Sequence, residues 1–409
     1  MARRVFLHLG LPKSGTSYLQ AVFGHNKAQL RERADLLYPG DSWGDQVDAI
    51  RDLRRISVSP ESQARVAGAW NRLAAEIRRW PGDAVVSMEW LCMAGPRQVA
   101  RVGRSLGDAE VHLVFTVRDL GRTVPAAWQE FAQNRASWSW REFLEQVAGE
   151  NAWDTPAGRL FWRQQDMELL LDRWSKLAPA ERAHVITVPH DGRPDELWRR
   201  TAGVLGVDAG VCEVGELGAN ASLGMESAEL VRRLNEKLAE RHMPLAQYNR
   251  VVKRGLAKQI LVQRRTSEHK VVLPPSYAEW AAERARQQVK AIESSGAHVV
   301  GSLEELRPRS EGVDAGRSEP SLEAVLEAGL DGLASLAITH AAALQEHKER
   351  LGVAETTIDQ LRAEIQLRSS RPVRQALIDI SERRPMVRRA RVSYWRLVNA
   401  ARRLSRSTP

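Results

Sequence analysis

The stretch Val5 to Gln20, VFLHLGLPKSGTSYLQ, limits what this chain can fold into more than any other part of it. Val5 to Leu9 is a short apolar run closed by Gly10, the pattern of a parallel strand covered on both faces. Gly10 to Gly15 is a tight loop. Thr16 and Ser17, followed by Tyr18, Leu19, Val22 and Phe23, open an amphipathic helix. Strand, glycine-bounded loop and helix start together make an anion cradle. Amide groups left unpaired at the helix start converge there, the helix dipole adds positive potential, and glycines let the backbone come close. The expected fold class is α/β, a P-loop-like three-layer αβα arrangement around a central parallel sheet.

Spacing narrows the kind of cradle. A nucleoside triphosphatase places Lys directly after the second glycine, as G-x-x-x-x-G-K-[ST]. Gly10 and Gly15 keep that separation, but Thr16 stands in the lysine position and the lysine lies inside the loop, at Lys13. Lys13 and the N–H groups of Ser14, Gly15, Thr16 and Ser17 are the candidate anion ligands.

Later apolar runs supply the rest of the sheet. Leu36 to Gly40 reads as a short strand or turn, and Ala84 to Ser87 as a buried strand ending at Met88-Glu89-Trp90. Glu110 to Val117 is the clearest strand and ends in Arg118-Asp119; His184 to Pro189 is another, and His298 to Gly301 an edge strand. Ligands of an open parallel sheet lie beyond the strands' carboxyl ends. Three separate segments therefore bring Lys13, Glu89 and Arg118 to one edge. Apolar neighbours raise the pKa of a carboxyl such as Glu89, which makes it the candidate general base. Its other reading is a carboxylate paired with an arginine. His8 and His25 are runner-up bases, His8 being mid-strand and expected to be a satisfied core residue.

Helical spacing predicts one long helix over 61–80, and others from Gly95-Pro96, over 120–134, around Trp138 to Leu144, over 161–174, 197–205 and 277–292, and up to Glu240 with Ser222 as a cap after a loop at Asn220. Segments 41–60 and 129–165 are expected to be the loops of an acceptor pocket. Trp90 and Trp128 are the tryptophans nearest that site in sequence.

Pro12-Lys13-Ser14-Gly15-Thr16-Ser17 resembles the 5′-phosphosulfate loop of sulfotransferases that use 3′-phosphoadenosine 5′-phosphosulfate (PAPS). Val114 to Asp119 resembles the start of the same family's 3′-phosphate motif. The composition, rich in Arg, Ala and Trp, is like that of actinobacterial members. The resemblance covers about residues 1–308 and implies a sulfotransferase catalytic domain there. It implies that Lys13 assists transfer, that the hydroxyls of Thr16 and Ser17 ligate phosphate, and that Arg118 binds the 3′-phosphate. A late basic segment often closes over the nucleotide in this family, which makes Lys253 and Arg254 candidates. PAPS is then the co-substrate, and no metal is required. One departure stands out: the family's serine two turns after the arginine is Ala126 here, leaving Thr123 or Arg122 to replace it. The implied activity is transfer of a sulfuryl group to a hydroxyl or amine of a carbohydrate, glycolipid or secondary metabolite. Two other readings stay open: a nucleotide or small-molecule kinase with a variant P-loop, and a non-catalytic membrane-associated scaffold.

The chain has 409 residues and 43% hydrophobic content, enough for a large core and an extension. Residues 309–320 read as a linker. Within 321–370, leucines, isoleucines and alanines from Leu326 to Ile365 alternate by three and four with His340 and His347 among them, a heptad seam suited to a homodimer or to packing back on the domain. The tail, 371–409, is basic and amphipathic. Much of the net charge of +9 sits there, with nine arginines between 383 and 406 and no acid after Glu382. An anionic membrane surface is its expected partner; nucleic acid or the acidic parts of a protein partner are the less favoured ones. Cys92 and Cys212 form neither a metal-ligand spacing nor a disulfide framework, and no apolar run is long enough to span a bilayer. A cytoplasmic protein is expected.

Overall fold

The apolar runs assemble into one six-stranded sheet: β1 (Arg4–His8), β2 (Leu36–Leu37), β3 (Asp83–Ser87), β4 (Glu110–Val117), β5 (Ala183–Thr187) and β6 (His298–Val300). In space the order is β2-β3-β1-β4-β5-β6, and every neighbouring pair is parallel. The structure is a computed structural model that describes residues 1–56, 58–191, 193, 195–215, 217, 222–309, 319–383 and 385–404.

Parallel neighbours need long crossovers, and helices provide them. In chain order these are α1 (Thr16–His25), α2 (Lys27–Arg33), α3 (Trp43–Arg54), α4 (Pro60–Val66), α5 (Ala69–Arg79), α6 (Pro96–Leu106), α7 (Leu120–Gln133), α8 (Trp140–Ala148), α9 (Pro156–Gln165), α10 (Met167–Ser175), α11 (Glu196–Leu205), α12 (Met225–Glu240), α13 (Leu245–Tyr248) and α14 (Ala278–Ser295). Successive strand residues point to opposite faces, so each strand feeds two cores. Phe6, Val85, Val114 and Ile186 pack with Leu19, Val22, Phe23, Leu30, Trp198 and Leu205 from α1, α2 and α11. Val5, Leu7, Val86, Leu113, Phe115 and Val185 pack on the other side with residues of α3, α5, α6, α10 and α14, among them Ile50, Trp70, Val102, Trp174 and Ile292. The expected three-layer αβα fold is therefore present.

Strand order decides where a ligand can sit. The chain leaves β1 toward β3 and β2, then crosses from β3 to β4 on the other side of β1. That reversal opens a crevice at the carboxyl end of β1.

Several sequence expectations change. The helix expected over 61–80 is two, α4 and α5, because Gly68 takes φ 70° between them. Segment 41–60 is not an open loop: Ser42 caps α3 in a reciprocal box with Asp45. Segment 129–165 is mostly α7, α8 and α9. Asp166 splits the helix expected over 161–174 by accepting from the Leu169 amide as an N-cap. The residue before α12 is Gly224, so Ser222 is not its cap, and Asn220 lies outside the described residues.

Two compact units result, Met1–Ala334 and Ser335–Pro409. The first extends past residue 308 because Val325 and Ala328, in the first turns of α15 (Leu322–Arg383), are buried. Of the expected linker, 310–318 lie outside the described residues. α15 runs through the boundary expected at 370 and is followed by α16 (Pro385–Leu404). The heptad residues Leu326, Leu330, Leu333, Leu344, Leu351, Ile358, Leu361 and Ile365 are all exposed. Among the described residues, no helix is long and apolar enough to cross a membrane.

Candidate active site

The loop after β1 is held by its carbonyl groups. β1 stays tied to β4 beyond its end, with the Leu9 and Leu11 amides donating to the carbonyls of Val114 and Thr116, both at 2.9 Å. The next carbonyls are gripped one by one. The Ser14 hydroxyl donates to Leu11, Gln165 Nε2 donates to Pro12 at 2.8 Å, and Arg118 Nη1 donates to Lys13 at 3.4 Å. A trans peptide points its C=O and N–H in opposite directions. Anchoring the Pro12 carbonyl on Gln165 therefore turns the Lys13 amide away from that side chain.

Backbone conformation is equally specific. Gly10, Lys13 and Gly15 have φ values of 39°, 70° and 84°. For Lys13, a residue with a Cβ, the left-handed conformation costs about 1–2 kcal/mol. Gly15 is the N-cap of α1 and offers no side-chain cap, so the first amides of the helix are left for a ligand. At Gly10 a Cβ would lie 2.3 Å from Thr16 Cγ2 and 3.1 Å from His8 Nε2. Gly10→Ala is expected to destabilise the protein by about 1–3 kcal/mol through overpacking and backbone strain, read as a lower midpoint in chemical denaturation. An unchanged midpoint would show that the loop relaxes freely.

Charged side chains converge above this loop. Lys13 Nζ lies 2.7 Å from Glu130 Oε2, brought in by α7. Burial opposes ionisation of Glu130, but the charge of Lys13 and its hydrogen bond, with Lys253 and Lys258 nearby, outweigh it and hold its pKa below the usual carboxylate range. Lys253, on an irregular helix over Asn249–Ile260, donates to Asn134 Oδ1. Burial lowers its pKa; Glu130 opposes that, while Lys258, Lys13 and Arg254 add to it.

Glu89 lies at the carboxyl end of β3, opening a short 3₁₀ turn. Gln20 Nε2 donates to its Oε2 at 2.7 Å. Burial pushes its pKa up, and the negative charge of Glu130 does the same, against the Gln20 hydrogen bond and the charge of Lys13. Two carboxylates around one lysine are thus driven in opposite directions. The lysine favours the ionised form of one, and burial favours the protonated form of the other.

The structure brings Lys13, Glu89, Arg118 and Lys253 into one neighbourhood, as their contacts and mutual charge effects show. The other residues singled out in the sequence have more ordinary places. Ser14 is buried, its hydroxyl shared between Leu11 and Thr116 Oγ1 at 2.6 Å, so its side chain is structural. Thr16 is buried, whereas Ser17 is exposed on the first turn of α1. Arg254 is exposed beside Lys253.

Arg122 cannot replace the absent serine at Ala126, because its guanidinium is spent on Asp119 and on the carbonyls of Val188 and Pro189. The Thr123 hydroxyl donates to the Arg118 carbonyl at 3.3 Å. His8 is the satisfied core residue expected. Its ring bridges Ser87 at 2.7 Å and Thr116 at 3.2 Å, and burial lowers its pKa to about 4. His25 lies at the far end of α1 beside Glu213. Trp128 is core, donating to the Trp138 carbonyl, while half-buried Trp90 faces the Arg51 guanidinium.

Sequence reasoning missed Glu130. An acid on an amphipathic helix reads as a solvated face, and nothing local marks this one as turned toward a lysine from another segment. Gln20 and Gln165, which hold Glu89 and the loop, were equally silent.

No family model and no curated protein matches the chain. Among solved structures it is similar to a sulfotransferase from Alicyclobacillus acidocaldarius, at 18% identity and a TM-score of 0.36, over 61% of this chain and 100% of that one.

Proposed function

We propose that this protein is a PAPS-dependent sulfotransferase that moves a sulfuryl group to a hydroxyl or amine. One observation carries the reading: a lysine inside a glycine-bounded loop at the end of β1, paired to Glu130 and close to a second carboxylate, Glu89, whose pKa is raised. The donor set suits a bisphosphorylated nucleotide. Free amides at the start of α1 and the Lys13 ammonium suit the 5′ end, and Arg118, Lys253 and Lys258 add positive charge around them.

In transfer, the bond between sulfur and the bridging 5′-phosphate oxygen breaks as sulfur bonds to the acceptor oxygen or nitrogen. Three tasks then fall to this chain. Lys13 meets the charge that develops on the departing phosphate. Glu89 takes the acceptor proton, which its raised pKa favours at neutral pH. Glu130 holds the Lys13 ammonium aligned before the donor enters. Loop and helix hold the donor in line with the acceptor and so supply the positioning part of the rate.

The direct test is calorimetric titration of the purified full chain with 3′-phosphoadenosine 5′-phosphate, the desulfated donor. One-to-one binding that ATP·Mg²⁺ fails to displace is expected. Binding of ATP·Mg²⁺ alone would overturn the proposal in favour of a kinase, and binding of neither would remove nucleotide chemistry from this loop.

A further inference from the structure

The formal charge of the protein is strongly segregated. Nine arginines and no acid follow Glu382, so residues 383–409 carry the whole net charge of +9 and residues 1–382 are neutral overall. Within this segment α16 sorts its side chains by face. At about 100° per residue, Met386, Val387, Ala390, Tyr394, Leu397 and Val398 fall along one side, and Arg388, Arg389 and Arg396 along the other. The apolar side is bare: Met386, Val387, Tyr394 and Leu397 are 86%, 41%, 62% and 71% exposed. Exposed apolar stripes of this kind mark a surface that something covers.

We infer that α16 is an interfacial helix that lies on an anionic bilayer, its apolar stripe entering the acyl boundary and its arginines resting among phosphate headgroups. Charge complementarity selects this occupant. A second copy of the helix would cover the stripe but bring only more cations, because α16 contains no acid. Nucleic acid would neutralise the arginines and leave the stripe in water. An anionic lipid surface satisfies both faces. The helix lies on the membrane without crossing it: it is 20 residues long, but its arginines leave it too polar to span.

Flotation of the full chain with lipid vesicles tests this. Phosphatidylcholine vesicles containing phosphatidylglycerol should carry the protein, and binding should weaken as salt is raised. Pure phosphatidylcholine should bind at least tenfold less. Arg388→Glu with Arg389→Glu should lower partitioning roughly thirty-fold, whereas the matching lysine pair should bind nearly as wild type. Leu397→Asp should also abolish binding, with far-UV circular dichroism and thermal unfolding unchanged to show that the fold persists. Equal binding to neutral vesicles would overturn the inference, as would an indifferent charge-reversed pair. Duplex DNA binding that survives Leu397→Asp, without vesicle binding, would assign the arginines to nucleic acid. A dimer broken by Leu397→Asp, again without vesicle binding, would assign the stripe to a second copy.

Discussion

Replacing Glu89 by Gln is expected to lower kcat/KM by roughly 10²–10⁴-fold, the range that follows loss of a positioned general base. Gln keeps the oxygen that accepts from Gln20 Nε2 and keeps the side chain's volume, so the structural role of the position survives. What it loses is the capacity to take a proton. Folding stability should not fall. Burial raises the native pKa of Glu89, so its carboxyl favours folding below the ordinary pKa, and that contribution is lost as pH rises through the raised value. At neutral pH the neutral Gln should be at least as stable.

The pH profile sharpens the test. Activity of the parent protein should fall as pH drops through the Glu89 pKa, and this acid limb should lie above the range where an exposed glutamate titrates. Glu130 contributes to that elevation by its like charge. Glu130→Gln should therefore move the acid limb to lower pH. Near-normal turnover in Glu89→Gln would put the base elsewhere, and an unmoved limb in Glu130→Gln would uncouple the two carboxyls.

Lys13→Ala is the second large effect. Loss of the one ammonium inside the loop should reduce kcat/KM by about 10²–10³-fold, as removal of a charge-stabilising donor does in other transfer reactions. The side chain is partly exposed and Ala bears the same positive φ, so the fold should survive. Binding of the desulfated donor should weaken as well, because Glu130 would lose its closest counter-charge and face the incoming phosphate unpaired. Lys13→Arg restores charge but not shape, and only partial recovery is expected. Single-turnover transfer followed with radiolabelled donor separates the chemical step from binding. Full activity in Lys13→Ala would remove the loop from the reaction.

Local pattern made the sheet and the loop legible. Short apolar runs ending in Gly10, Glu89 and Arg118 have the length and composition of buried parallel strands, and the rule for open sheets then places their ends on one edge. The breaks were harder. Gly68 and Asp166 interrupt helices whose apolar spacing continues across them, and only backbone conformation and an N-cap hydrogen bond reveal the stop.

The sequence by itself determined the α/β class, the glycine-bounded loop after β1, the lysine in it, and the separation of a neutral front from a cationic tail. Each is a property of neighbouring residues or of counted charge. Tertiary structure alone decided which partners those residues meet. It set Glu130 against Lys13 from 117 positions away along the chain. It spent Arg122 and Ser14 on backbone carbonyls, and drove Glu89 and Glu130 to opposite protonation tendencies. Burial and charge proximity act through space, and spacing along the chain does not encode them.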